Sequence, residues 1–202
     1  RHADWIQALQ RELPGMRIHA WREGAPSCGA RLAVVWNPPE SLFLQEPDIE
    51  LAFNMGAGVD ALVALPGQPA GLRIVRVEDA GMAVQMAEYV VHYLVRTARN
   101  FDQYADQQHA GSWARLPDIE RSAWSVGVLG SGIMGARVAQ AVAGLDYPVA
   151  VWSRSGRALP GIEVHAGRDG LPGFLARTRV LVNVLPLTPE TRGILCLDTL
   201  SQ

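Results

Sequence analysis

The chain has 202 residues, 49% hydrophobic and 19% charged, enough for one large globular domain or two small ones. Its 18 basic and 20 acidic side chains leave a net charge of −2, which gives no electrostatic reason to expect nucleic acid or an anionic membrane as a partner. Two cysteines, Cys28 and Cys196, form no metal-type cluster and suit a reducing cytoplasm, and no apolar run approaches the roughly 18 residues of a membrane span.

In chain order, "DWIQALQREL" (4–13) places Trp5, Ile6, Leu9 and Leu13 at helical spacing behind Asp4 as a cap. This start reads as an amphipathic helix and not as a secretory signal. Pro14-Gly15 ends it. "MRIHAW" (16–21), "RLAVVW" (31–36), "ELAFNM" (50–55) and "LRIVRV" (72–77) read as strands with short helical pieces between them, an alternation that implies parallel βαβ units. From Met82 to about Gln108, Met86, Tyr89, Val90, Tyr93, Leu94, Phe101 and Tyr104 recur every three or four residues. That spacing predicts one helix on the order of 40 Å long, stopped by Gly111. Residues 111–124 read as a linker. A second alternating segment follows: strand "WSVGVLG", helix 133–144, strand "PVAVW", helix 169–177 and strand "VLVNVLP" (180–186). The chain is therefore α/β throughout, with two units joined by a long helix. The second unit supplies one βαβαβ half of a doubly wound dinucleotide fold.

The loop Gly130-Ser131-Gly132-Ile133-Met134-Gly135 stands between a buried strand and a helix. Gly130 permits the tight turn, Gly132 lets a pyrophosphate approach the backbone, and Gly135 lets helix and strand pack closely. The helix start offers free N–H groups and partial positive charge to the phosphates. The bland alternative is a glycine-rich turn with no ligand. The next strand ends in Trp152, Ser153, Arg154 and Ser155, where an NAD-binding fold usually places a carboxylate for the ribose 2′-OH. Arg154 can instead pair with a 2′-phosphate and the serines can add hydroxyls, so NADPH is expected in preference to NADH. On the bland reading, Arg154 and Arg157 are solvated loop charges. After the third strand, Leu185, Pro186 and Thr191 lie at the sheet edge where ligands bind, with Thr188 and Thr191 at the start of a helix near Pro189.

These motifs resemble a known family. "NMGAGVD" (54–60), "EDAGMAVQMAEY" (78–89), "VGVLGSGIMGARVA" (126–139), "VWSRS" (151–155) and "LVNVLPLTPETRGI" (181–194) look like the D-isomer-specific 2-hydroxyacid dehydrogenases. "VVWNPPE" (34–40) and "HAGRDGLPGFLARTRVLVNVLP" (165–186) are similar to its glyoxylate/hydroxypyruvate reductase branch. The resemblance runs along the whole chain. It implies a flavodoxin-like substrate domain at 1–81 lacking its first strand, a connecting helix at 82–110, and the first half of a Rossmann coenzyme domain at 111–202. It further implies reduction of a small 2-oxoacid by NAD(P)H. The loop Met55, Gly56, Ala57, Gly58 and Val59 matches the family segment whose backbone amides take the substrate carboxylate, as a nest of N–H groups can. Trp36 falls where the branch lines its substrate pocket, and Met86 where the family faces the nicotinamide. For both, burial in a core is the alternative. Family members are usually homodimers built around the 82–110 region, whose surplus of apolar residues fits that arrangement.

The family's catalytic Arg, Glu and His are expected beyond Gln202, so the 202 residues read as a copy trimmed at both ends and inactive alone, with exposed sheet edges that favour self-association. None of the five histidines is expected to be the proton donor: His92 lies within the long helix, packed or at an interface, His109 at that helix's frayed end, and His2, His19 and His165 have no acidic partner at motif spacing. Two other readings stand beside this one. "GSGIMG" also resembles the β-hydroxyacid dehydrogenases, which carry it near the N-terminus. Loss of the catalytic residues would also suit a non-catalytic dinucleotide-binding regulator.

Overall fold

A computed structural model describes residues 2–201, the His2 side chain excepted; the sequence reading of His2 and of the segment past Gln202 lies outside the described residues. The chain divides into two compact units, Arg1–Val77 and Glu78–Gln202. Each is an α/β layer structure with an all-parallel sheet.

The first unit runs α1 (His2–Glu12), β1 (Leu32–Val35), α2 (Ser41–Gln45), β2 (Leu51–Asn54), α3 (Asp60–Val63) and β3 (Arg73–Arg76), with sheet order β1-β2-β3. Residues 16–21, expected to be a strand, have no ladder. In the flavodoxin-like order 2-1-3-4-5 the strand after the first helix pairs only with the strand before it, and no strand precedes α1 among the described residues. Extended sequence without a neighbour has nowhere to place its backbone hydrogen bonds. One face of the sheet is covered by Leu42, Phe43 and Leu62, which pack with Val35, Ile49 and Ala52 into a core. The other face carries Val34, Phe53 and Val75 side by side in register, all substantially exposed.

Glu46, 2% exposed, ties the loop before β1 to the end of α2. Its carboxylate accepts hydrogen bonds from the Ser27 hydroxyl (2.8 Å), the Cys28 N–H (2.9 Å) and the Ala30 N–H (3.4 Å). Burial pushes this carboxyl up, but the hydrogen bonds from Cys28, Ser27 and Ala30 outweigh it and hold the group below its ordinary value.

The second unit runs α4 (Met82–Ala98), α5 (Phe101–His109), β4 (Val126–Leu129), α6 (Ile133–Ala143), β5 (Val149–Ser153), β6 (Glu163–Ala166), α7 (Gly170–Leu175), β7 (Val180–Asn183) and α8 (Leu197–Leu200), with sheet order β6-β5-β4-β7. The single long helix expected over 82–108 is two helices. Asn100 adopts a left-handed conformation, φ 55°, between α4 and α5. Asparagine tolerates that conformation better than most residues, so the chain turns there although the apolar spacing continues through Phe101 and Tyr104. β4 is buried at all four positions, as a central parallel strand covered on both faces must be. Ala87, Leu94 and Ala98 of α4 share a core with Val138, Ala139 and Val142 of α6, small residues that let the two helices approach.

The strand β6, missing from the sequence reading, has only four residues, "EVHA", and no apolar alternation to betray it. The strand expected to run to Pro186 stops at Asn183. No helix begins at Pro189. Residues 189–193 form a turn, in which the Thr191 hydroxyl donates to the Pro186 carbonyl (2.6 Å) and accepts from the Thr188 N–H (2.8 Å).

Candidate functional site

The glycine loop joins β4 to α6 at the carboxyl edge of the second sheet. Gly130 has φ +113°, which L side chains rarely adopt, and its N–H donates to the Trp152 carbonyl (2.7 Å). A Cβ on Gly135 would overlap the Gly130 carbonyl oxygen and lie 2.8 Å from its carbon, so glycine is what allows α6 to start this close to β4. A Cβ on Gly132 would meet no protein atom within 4 Å. The space beside Gly132 is open on the side where a pyrophosphate would come. The first helical hydrogen bond runs from Ala136 N–H to the Gly132 carbonyl (2.8 Å). Among the described residues, the N–H groups of Ile133, Met134 and Gly135 therefore have no partner, and no side chain caps the helix. Ser131 is buried in the turn and Ile133 exposed beyond it. Unpaired donors, an open cradle and an eleven-residue helix aligned behind them fit a dinucleotide.

At the tip of β5 the four named residues divide. Arg154 and Ser155 are exposed, and Arg154 makes no hydrogen bond or short ion pair among the described residues. The side chains of Trp152 and Ser153 are turned into the interior. Trp152 is 6% exposed and its indole N–H donates to the Gly167 carbonyl (2.7 Å). Ser153 is equally buried, and its oxygen accepts from the Gly156 N–H (3.1 Å), shaping the turn that carries Arg154. Two apolar neighbours and an internal hydrogen bond take these side chains into the interior.

Leu185 packs on the cluster of Leu129, Trp152 and Phe174. A Cβ on Gly130 would meet Val184 Cγ2 at 3.4 Å and Leu185 Cδ2 at 3.5 Å, with Pro186 exposed beside them and Thr191 locking the turn. Glu190, on the same turn, was not singled out from the sequence. Its carboxyl is lowered first by a hydrogen bond from Thr188, then by its own backbone N–H, with a smaller pull from the charge of Arg154. Met86 is half-buried and packs on the α4–α6 core.

In the first unit, the 55–59 loop leaves β2 at the carboxyl edge. The Met55 N–H is spent on the Val35 carbonyl (2.9 Å), which removes it from the expected nest. The N–H groups of Gly56, Ala57, Gly58 and Val59 donate no hydrogen bond among the described residues. Trp36 is 61% exposed and so is no core aromatic. Its ring stands over Gly56, where a Cβ would come 2.9 Å from Cζ3. Asn54 and Arg76 were also missed by sequence reasoning. Asn54 Nδ2 donates to the carbonyls of Gly56 (2.8 Å) and Gly58 (2.7 Å), and Arg76 Nη1 to that of Ala57 (2.9 Å). A polar residue directly before a glycine-rich turn was the available signal for Asn54. Arg76 could be found only through the strand register. A cavity of about 620 Å³ in this unit lies elsewhere, at the amino-terminal edge of the sheet among Arg31, Glu50 and Arg73. There Arg31 and Glu50 already satisfy each other at 2.7 Å.

His165 Nε2 lies 3.1 Å from Glu163 Oε1, without hydrogen-bond geometry. Successive i and i+2 residues of β6 share a face, and Arg177 takes the same carboxylate oxygen at 2.5 Å. No cluster of three or more His, Cys, Asp or Glu suited to a metal occurs among the described residues, and none of their helices is long and apolar enough to cross a membrane.

Residues 91–202 match the family model described as D-isomer specific 2-hydroxyacid dehydrogenase, NAD binding domain. Among solved structures, the chain is similar to a D-isomer specific 2-hydroxyacid dehydrogenase from Xanthobacter autotrophicus Py2 in complex with NADPH and MES. The two are 38% identical with TM-score 0.87, over 98% of this chain and 64% of that one. It is also similar to the NADPH-dependent glyoxylate/hydroxypyruvate reductase of Sinorhizobium meliloti in complex with NADP and sulfate, at 33% identity and TM-score 0.85, over 98% and 63%. A D-lactate dehydrogenase from Aquifex aeolicus, 18% identical with TM-score 0.78, shares the fold. The chain thus spans somewhat under two thirds of the length of these proteins. Matching in order along 98% of its residues leaves the β-hydroxyacid dehydrogenase alternative, with its glycine loop near the N-terminus, without support.

Proposed function

Because the chain belongs to the D-isomer-specific 2-hydroxyacid dehydrogenase family, we propose that the whole protein is an NADPH-dependent reductase of small 2-oxoacids, converting glyoxylate to glycolate and hydroxypyruvate to D-glycerate. The observation that carries the coenzyme choice is the tip of β5, where Arg154 and Ser155 are exposed and no carboxylate stands among residues 152–155. A carboxylate there would repel a 2′-phosphate, whereas an unpaired guanidinium attracts one.

In this reading the second unit is the coenzyme domain. The free N–H groups at the start of α6 take the pyrophosphate, Arg154 and Ser155 take the 2′-phosphate, Leu185, Pro186 and Thr191 line the same edge, and Met86 faces the nicotinamide. When bound, the reduced nicotinamide supplies the hydride for the 2-oxoacid carbonyl carbon. The first unit is the substrate domain: the amides of 56–59 orient the carboxylate and Trp36 shields it from water. The NADPH and NADP in the two related structures support this choice. Protonation of the substrate oxygen is assigned to no residue of this chain. Free thiols at Cys28 and Cys196 fit a cytoplasmic setting. Exposed Tyr89, Tyr93 and Phe101 fit a homodimer formed through the α4–α5 region.

The test is coenzyme oxidation by the whole protein with glyoxylate and with hydroxypyruvate, NADPH and NADH in parallel, beside fluorescence titration of both coenzymes. The proposal requires turnover with NADPH preferred, and an Arg154→Ala variant that weakens NADPH roughly tenfold or more while sparing NADH. Equal binding of the two coenzymes would remove the role given to Arg154. Tight NADPH binding with no turnover would favour a non-catalytic binder.

A further inference from the structure

The loop proposed to take the carboxylate is gripped from behind. Asn54 Nδ2 holds the carbonyls of Gly56 and Gly58, and Arg76 Nη1 holds that of Ala57, so three successive carbonyls are engaged. Among the described residues all peptide bonds are trans, and a trans peptide directs its N–H opposite to its C=O. The N–H groups of Ala57 and Val59 therefore leave on the side away from Asn54, and that of Gly58 on the side away from Arg76. The two side chains come from paired positions, since Asn54 of β2 and Arg76 of β3 are directly opposite in register. Asn54 is buried and fixed. Arg76 is exposed, and among the described residues no ion pair cancels its charge.

A hydrogen bond from a guanidinium is charge-assisted, and it polarises the peptide that accepts it, strengthening the donor at the far end. We infer that Arg76 is a positioning residue of the substrate site: by holding and polarising the Ala57 carbonyl, it sets the loop's affinity for a substrate carboxylate, with Asn54 as the rigid half of the clamp. This rests on the carboxylate reading given under Proposed function. It adds a residue that need not touch the substrate.

The test is a glyoxylate titration of the ¹⁵N-labelled protein, following the amide signals of residues 56–59 in the wild type, Arg76→Met and Arg76→Lys. Saturable shifts of these amides are expected in the wild type. Arg76→Met should weaken binding roughly tenfold, the loss typical of one hydrogen bond to a charged group. Arg76→Lys, which keeps the charge and a donor, should recover part of that loss. Wild-type affinity in Arg76→Met, or no recovery in Arg76→Lys, overturns the inference and leaves the carboxylate reading standing. If no wild-type amide of the loop moves, the carboxylate reading itself is wrong and the inference falls with it. Should Arg76→Met displace the loop signals before any ligand is added, the comparison of Arg76→Lys with wild type decides.

Discussion

Substituting alanine at two glycines of the same loop should give opposite outcomes. At Gly135 the new methyl overlaps the Gly130 carbonyl and lies 3.3 Å from Val184 Cγ2 as well. Either α6 retreats from β4 or the loop peptide rotates. Neither has room, because Val126, Val128, Leu129, Val138, Ala139 and Val142 are all at most 1% exposed. Overpacking of this kind costs about 3 kcal/mol, the upper end of its usual range. For a chain of this size that lowers the unfolding midpoint by roughly 6–12 °C. At Gly132 the methyl meets nothing in the protein, and its φ of −71° suits alanine. The cap preference lost and the unfolded-chain entropy removed are each below about 1 kcal/mol and opposite in sign. Gly132→Ala should therefore melt like the wild type, yet bind NADPH at least roughly tenfold more weakly, because the methyl stands where the pyrophosphate must approach. Thermal unfolding and coenzyme fluorescence titration measure both quantities on both variants. Unchanged NADPH affinity in Gly132→Ala would refute the cradle, and an unchanged midpoint in Gly135→Ala would refute the packing argument.

Three further outcomes are expected. The folded-state pKa of Glu46 lies below its unfolded value, so the stability it contributes is complete above the ordinary carboxylate range near 4.5 and is lost as pH falls through the folded value. Denaturant midpoints measured from neutral pH to about 3 should fall on the acid side, and Glu46→Gln should flatten that limb. Glu190→Gln removes a competing anion near Arg154 and should tighten NADPH about twofold, a surface-charge effect, without altering NADH; tightening of both coenzymes alike would place Glu190 elsewhere in the site. Replacing Tyr89 and Tyr93 together by Glu should halve the mass seen by light scattering if α4 forms the dimer contact, and a monomeric wild type would count against that contact.

Periodicity revealed most of the architecture because most of the parallel strands are apolar runs and the longer helices have a stripe. It failed where the deciding fact was not in the local pattern. Phe101 and Tyr104 continue the spacing of α4, so only the backbone of Asn100 reveals the break. Residues 16–21 look like a strand, but pairing is a property of two segments. The glycine loop was legible because its mechanism demands small residues at fixed intervals. The side chains at the tip of β5 were half legible: Arg154 is exposed as the coenzyme reading requires, whereas the burial of Trp152 and Ser153 depends on Gly156 and Gly167, brought there by the turn into β6. Asn54 and Arg76 are 22 positions apart in sequence and become neighbours only through the register of β2 and β3.

The sheet order β6-β5-β4-β7 separates two tasks that a designer would want separated. The glycine loop sits on β4, where the winding reverses, while the charge proposed to select the coenzyme sits one strand away on the short turn after β5. Residues 154–157 could be exchanged for a carboxylate-bearing segment without disturbing the loop. One constraint remains on such a graft: a Cβ at position 156, where φ is +65°, would come 2.8 Å from the Ala166 methyl, so the glycine must travel with the exchanged segment. If the proposed role of Arg154 holds, coenzyme preference in this scaffold is a portable cassette of a few residues, exchangeable without rebuilding the glycine loop.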